Sequence, residues 1–281
     1  MSEQPISNKW RLHNIATKLG GEIVAKYIHY KTDTYIISHP RSGRTWLRIL
    51  IGKILCDKFG FSAEDMLDTY KLTSRAGILR TQLIHDHTSY TESFKYLHLS
   101  KDKKIYKNKR IILLIRNIKD IMVSYYFYVT RRDHDYNGNI SDFIRSSKFG
   151  AKNIIIFYNT WYESRKIPLD FMLLRYEDMI HNTGECLFNT MKFLGLDNID
   201  ENDVREAIEF ASFKNLKKLE REEYFSQTSM RPGNKSDNES YTIRKGEVKG
   251  YSSYLSESDI DYIDTLIQEL GCPFEKNYKV S

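Results

Sequence analysis

The chain has 281 residues, 41% of them hydrophobic, and a formal net charge of +6 from 43 Lys and Arg against 37 Asp and Glu. That balance suits an anionic small-molecule ligand and is too even for a nucleic-acid binder. Only 14 Gly and 5 Pro are present, which excludes collagen-like, low-complexity and long disordered architectures. Residues 1–20 mix Lys9, Arg11, His13 and Lys18 with isolated apolar residues and lack the apolar core of a signal peptide.

The first strand is read at 34–38 (TYIIS). It runs into the loop His39-Pro40-Arg41-Ser42-Gly43-Arg44-Thr45, after which Trp46, Leu47, Ile49, Leu50, Ile51, Ile54 and Leu55 recur at helical spacing. A second strand at 110–115 (RIILLI) ends on Arg116. Asn117 is placed to cap a helix over 121–128, with Asp120 completing a variant capping box. A third strand at 171–175 ends in Tyr176-Glu177-Asp178. Helices are expected over 185–194, 201–211 and 256–270, the first and last stopped by Gly195 and Gly271. This alternation predicts an α/β fold with a mainly parallel sheet. No linker divides the chain, so one domain over 1–281 is expected. Residues 226–242 (SQTSMRPGNKSDNESYT) read either as a solvated connection or as a mobile segment over a ligand site.

Cys56, Cys186 and Cys272 are odd in number and form no CxxC, so they read as reduced packing thiols. Apolar runs reach five or six residues, against the roughly 20 of a membrane helix. A soluble, cytoplasmic protein is expected, and the sequons at Asn139 and Asn238 carry no weight without an export signal.

A strand–loop–helix junction points backbone N–H groups and the positive end of the helix dipole at one place, which suits phosphate. In the 39–45 loop, Gly43 permits close approach, Arg41 and Arg44 add charge, and Ser42 and Thr45 add hydroxyl donors. A capped helix with two surface arginines would give the same pattern. A kinase of the P-loop type needs GxxxxGK[ST] and a strand-end Asp for Mg²⁺. Here the first glycine and the lysine are missing, and the second strand ends in a cation, Arg116. Ser124 follows on the inner side of the next helix, and Arg244-Lys245-Gly246 form a third segment. Singly, each has a plain structural reading: Arg116 paired with Asp120, a buried serine, a surface Arg-Lys pair.

Together these segments resemble a known family. SHPRSGRTWL (38–47), IRNIKDIMVSYY (115–126), LLRYEDM (173–179), SFKNLKKLE (212–220) and RKGEVKGYSSYLSESD (244–259) are similar, in order, to motifs of the cytosolic-type sulfotransferases. The usual forms are YPKSGTTWL, ARNPKDVAVSYY, YEDM, TSFKEMKK and RKGxxG. The resemblance runs from about residue 34 to 274. It implies a single α/β domain with a central parallel sheet of P-loop nucleotide-kinase-like topology. It also implies a donor, 3′-phosphoadenosine 5′-phosphosulfate (PAPS); a site lined with Arg41, Arg44 and Arg116 is expected to neutralise its anion without a metal. Carried across, Arg41, Ser42, Gly43, Arg44, Thr45 and Trp46 would surround the 5′-phosphosulfate and adenine. Arg116 and Ser124 would take the 3′-phosphate, joined by Arg244, Lys245 and Gly246, with Tyr176 and Phe213 near the adenine.

Several positions depart from the family pattern. Arg41 stands for the usual lysine and would act on the leaving phosphate as a fixed charge. Arg44 replaces a threonine and is assigned no role. Ile118 replaces proline, and Lys249-Gly250 replace Gly-Asp. The KxxxTVxxxE dimer motif is not visible, which leaves the oligomeric state open.

The family base, a histidine in KTH, falls on Leu83-Ile84-His85-Asp86-His87-Thr88. Histidine suits proton removal near pH 7. His85 directly follows the apolar pair and is preferred; His87 is the alternative. A metal on His85 and His87 lacks an evident third ligand, and His134 reads as a solvated loop residue. The expected reaction is in-line transfer to a hydroxyl, less readily an amine, of a small-molecule or glycan acceptor. Neither nucleic acid nor membrane is an expected partner. The acceptor walls are expected from 61–80, 129–150 and 224–242. Lys71, Arg75, Tyr136 and Tyr224 there favour a polar hydroxyl such as a sugar. The rivals are a Mg²⁺-dependent kinase and a non-catalytic nucleotide-binding protein of the same fold.

Overall fold

Strand β1 (Thr34–Ser38) is buried along its whole length, and β3 (Arg110–Ile115) along all but its first residue. Continuous apolar runs of this kind belong to parallel strands covered on both faces. β1 pairs in parallel with β2 (Thr81–Ile84) on one side and β3 on the other, and β3 pairs in parallel with β4 (Asp170–Arg175). The order is β2-β1-β3-β4. A computed structural model describes residues 26–86, 102–225 and 230–276, and all structural statements concern these.

The helices are α1 (Arg44–Phe59), α2 (Thr69–Arg75), α3 (Ile118–Tyr128), α4 (Ile140–Arg145), α5 (Ala151–Ser164) and α6 (Tyr176–His181). They continue with α7 (Thr183–Phe193), α8 (Glu201–Phe210), α9 (Phe213–Arg221), α10 (Glu257–Leu270) and α11 (Pro273–Lys276). The period of two along the strands divides the core. Ile36, Ile112 and Leu114 join residues of α1, α7 and α8 on one face. Tyr35, Ile37, Ile111 and Leu113 join those of α3, α5 and α10 on the other. The three cysteines are free thiols. No described helix is long and apolar enough to cross a membrane.

The α/β expectation with a parallel sheet holds, and element bounds shift by a few residues. α3 starts at Ile118 rather than at 121, because the Asn117 side chain accepts from the N–H groups of Lys119 and Asp120. The capping box does not close: the Asn117 N–H donates to Glu177 Oε1 at 2.8 Å. α10 does carry a full box, between Ser256 and Asp259. The 226–242 segment is more than a solvated connection: Met230, Ser240 and Tyr241 are buried in its described part.

Candidate active site

Parallel strands deliver their following residues to one edge, where crevices of α/β sheets take ligands. His85 follows β2, Arg116 follows β3, and Tyr176 follows β4. All three line one cavity of about 560 Å³. Arg41, Gly43, Arg44, Thr45, Trp46, Ser124, Phe213, Arg244, Lys245 and Gly246 also reach its wall. Of the expected residues only Ser42 lies off the wall. It is fully buried, with its Oγ unpartnered.

The loop after β1 turns through two left-handed residues, Arg41 (φ 70) and Gly43 (φ 95). A Cβ on Gly43 would come 2.4 Å from the Tyr176 ring, so only glycine allows this approach. Gly43 is also the N-cap of α1, and it supplies no capping side chain. No acidic residue follows in the first turn. The first N–H groups of α1 are therefore without a side-chain acceptor, at the positive end of its dipole. Arg41 is half-buried. Its Nε donates to Ser124 Oγ at 3.1 Å and its Nη2 to the Thr242 carbonyl at 3.0 Å. Burial lowers it to about 10, and it remains charged at neutral pH.

The second group centres on Arg116. Its Nη1 donates to the Arg41 carbonyl at 3.2 Å and its Nη2 to the Glu247 carbonyl at 3.1 Å, while its Nε is buried and unpartnered. The guanidinium lies 4.2 Å from the centroid of the Tyr176 ring. The pairing of Arg116 with Asp120 does not occur. Asp120 instead accepts from the N–H groups of Lys249 and Tyr251, at 2.8 and 3.0 Å, and so holds the segment that follows Gly246. Arg244 donates from Nη1 to Glu239 and to Tyr254 Oη, both at 2.9 Å, and its Nε is also unpartnered. Lys245 lies 4.8 Å from the centroid of the Tyr254 ring. Gly246 has φ 68, and a Cβ there would meet the Phe213 ring at 2.7 Å. Trp46 stands edge-on to Tyr176 at 5.9 Å, with its indole N–H on the Ala211 carbonyl.

His85 sits between two groups that fix its proton. Its Nδ1 lies 3.0 Å from the Ser38 carbonyl, and its Nε2 lies 2.6 Å from Arg44 Nη2. A carbonyl only accepts and a guanidinium only donates, so Nδ1 carries the hydrogen and Nε2 the lone pair. Burial, and then the Arg44 charge, hold the imidazole well below its ordinary pKa. Beneath it His39 is also buried, and burial lowers it to about 4. His87 lies outside the described residues. No group of three or more His, Cys, Asp or Glu among the described residues could hold a metal ion. His134 is exposed, as expected.

The reading of the acceptor walls changes. Residues 61–80 do not reach the cavity: Lys71 and Arg75 both pair with Asp65. Tyr136 packs on Phe143, and Tyr224 is exposed away from the cavity. Tyr125, Tyr128, Val129, Phe149, Asp133 and Asp135 also line the cavity.

Three carboxylates build the site through contacts that the sequence motifs do not signal. Besides Asp120, buried Glu220 accepts from the N–H groups of Thr242 and Ile243, at 2.6 and 2.9 Å, at the cavity wall. Asp86 anchors the turn that carries His85, accepting from Lys103, Tyr106 and Trp161. Only their positions beside the motif residues marked them.

A family model described as "Sulfotransferase domain" matches residues 31–278. Among curated proteins, the flavonol 3-sulfotransferase of Flaveria bidentis is 25% identical over 261 residues, covering 85% of this chain and 82% of its own. The 3-beta-hydroxysteroid sulfotransferase of Cavia porcellus is 24% identical over 263 residues, covering 88% and 86%. Among solved structures, mouse sulfotransferase SULT7A1 complexed with PAP is similar with a TM-score of 0.58 at 19% identity, covering 89% of this chain and 86% of its own. A retinol dehydratase in complex with retinol and PAP gives 0.59 at 17%, covering 85% and 81%. These structures share the fold.

Proposed function

Because the chain belongs to the sulfotransferase domain family, we propose that it moves a sulfuryl group from PAPS to a hydroxyl of a small-molecule acceptor, with His85 as the general base. One observation carries the donor reading. Four arginines, Arg41, Arg44, Arg116 and Arg244, line one cavity that also carries the rings of Tyr176, Trp46 and Phe213. A nucleotide with phosphates on both its 5′ and 3′ positions matches that pattern. The buried atoms fit as well. Arg116 Nε and Arg244 Nε, on residues of the cavity wall, lack protein partners, and Gly43 and Gly246 let the Tyr176 and Phe213 rings pack against the loop backbone.

PAPS supplies an activated sulfuryl group with a phosphate as leaving group. Arg41 and the open N–H groups of α1 hold fixed positive charge where that phosphate gains its negative charge. Arginine cannot give up its proton here, so the leaving group departs as an anion that the site neutralises. His85 accepts the acceptor proton at Nε2, and the Ser38 carbonyl keeps the ring in the tautomer that makes this possible. A guanidinium at Nε2 is also a poor neighbour for a metal ion, which favours the metal-free reading over the kinase.

Tyr125, Tyr128 and Phe149 favour an acceptor with a ring, and Asp133 and Asp135 can accept from further hydroxyls. Of the four residues that favoured a sugar, Lys71 and Arg75 pair with Asp65 away from the cavity, and neither Tyr136 nor Tyr224 lines it. The experiment is transfer of label from [³⁵S]PAPS to a panel of phenols, hydroxysteroids and sugars. Melting curves with adenosine 3′,5′-bisphosphate (PAP) or ATP·Mg²⁺ accompany it. Label on a ring hydroxyl and stabilisation by PAP alone are expected; a ligand at 100-fold its Kd adds about 2.7 kcal/mol. Equal stabilisation by ATP·Mg²⁺ would favour the kinase. PAP binding with no transfer to any acceptor would favour the non-catalytic protein.

A further inference from the structure

The lone pair that a base at His85 must offer is already engaged. Nδ1 is committed to the Ser38 carbonyl, and Nε2 accepts from Arg44 Nη2 at 2.6 Å. With both ring nitrogens so bound, the imidazole has no site at which to receive an acceptor proton. If His85 is the base, Arg44 has to leave Nε2 before transfer.

Arg44 is well placed to do so. It lies next to Gly43 in the first turn of α1 and lines the cavity. Among the described residues it has no carboxylate partner, and its charge is held in place only by neutral groups. Burial and the nearby Arg48 charge disfavour its ionised form, lowering it to about 9. A half-buried cation without a counter-charge gains from an anion. The bond to His85 is charged on the donor side alone, whereas a phosphate or sulfate oxygen adds the attraction of opposite charges in a poorly solvated site and can take the guanidinium fork bidentately. An imidazole is a neutral acceptor, so an anion reaching the loop would compete successfully for the guanidinium.

We propose that Arg44 couples donor binding to the base: it caps His85 Nε2 in the donor-free protein and turns to the anionic 5′ end of the nucleotide when that binds, uncovering His85 for the acceptor. The inference rests on the reading of His85 as base. It gives Arg44 two contacts, one on the donor and one on the base. It also gives the reaction an order, with donor before acceptor, because proton removal becomes possible only when the 5′ anion is in place.

The test uses the full chain labelled with ¹⁵N-histidine, the His85 signal being identified by its loss in His85→Gln. PAP is the probe, and its saturation is checked by the melting temperature. In wild type, saturating PAP is expected to move the Nε2 resonance downfield, toward that of an imidazole nitrogen with no donor bound. In Arg44→Leu the resonance is expected to stand downfield without PAP and to change little when PAP is added. Arg44→Met serves if the leucine variant does not fold, and the wild-type titration stands alone if neither does. An unchanged Nε2 resonance in wild type at saturating PAP would overturn the proposal. So would an equal PAP-induced change in wild type and in a variant lacking Arg44. Failure of the base reading shows itself separately, as full turnover in His85→Gln.

Discussion

Asp86 Oδ2 lies 2.7 Å from Lys103 Nζ, and both side chains are almost wholly buried. The same carboxylate accepts from Tyr106 Oη at 2.8 Å and from Trp161 Nε1 at 2.9 Å. Its backbone is left-handed, with φ 46. Three donors on one buried carboxylate fix the turn that ends β2 and hold the preceding residue, His85, at the cavity. Removing the carboxylate leaves the Lys103 ammonium buried without its counter-charge. Asp86→Ala should therefore destabilise the fold by about 3–5 kcal/mol, measured by urea unfolding. A loss below about 1 kcal/mol, the scale of an exposed pair, would show that the pair is not buried as described.

Arg116 and Arg244 each keep a buried Nε without a protein partner while their other nitrogens are held in place. Both are thus fixed in position, with a donor in reserve. Arg116→Ala and Arg244→Ala should each weaken PAP binding by roughly 1.5–3 kcal/mol, the scale of a charged hydrogen bond. AMP, which lacks the 3′-phosphate, should lose much of that sensitivity. Titration calorimetry with both nucleotides checks this; equal losses for the two would remove these arginines from the 3′-phosphate.

His39 gives a pH dependence with a definite sign. Burial lowers it to about 4 in the folded chain, against about 6.5 when unfolded. Between these values the unfolded chain binds more protons, so stability falls as pH drops through that window. His85, also lowered, acts in the same direction. The His39 share is about 3 kcal/mol over the full window. His39→Phe fits the ring contacts with Tyr125 and Phe157. Its unfolding free energy should drop by about 2–3 kcal/mol less than that of wild type between pH 7.5 and 4.5. Equal drops would mean that His39 is protonated in the native state.

The strands and the loop residues that line the cavity were legible because their signals are local. TYIIS and RIILLI are apolar runs bounded by polar residues, and Arg41, Gly43, Arg116 and Gly246 sit in short segments whose chemistry is readable on its own. α5 was not assigned, although Ile154, Ile155, Tyr158 and Trp161 recur at helical spacing. Phe157 and Thr160 are buried too, which blurs the polar face that marks an amphipathic helix. Asp120 and Glu220 escaped because their partners lie 129 and 22 residues away in sequence. The choice of His85 agrees with where β2 ends, at Ile84. The bond between Arg44 and His85 spans 41 residues and joins two segments that were each read separately.

The most direct test of the account is the single-turnover rate with saturating PAPS and the acceptor that the label panel identifies, compared between wild type and His85→Ala. A positioned base contributes roughly 10²–10⁴ in rate. The variant should therefore turn over slower by that factor while its PAP affinity is not weakened, since His85 competes with the nucleotide for Arg44. Full turnover in His85→Ala would contradict the assignment of this histidine as the base.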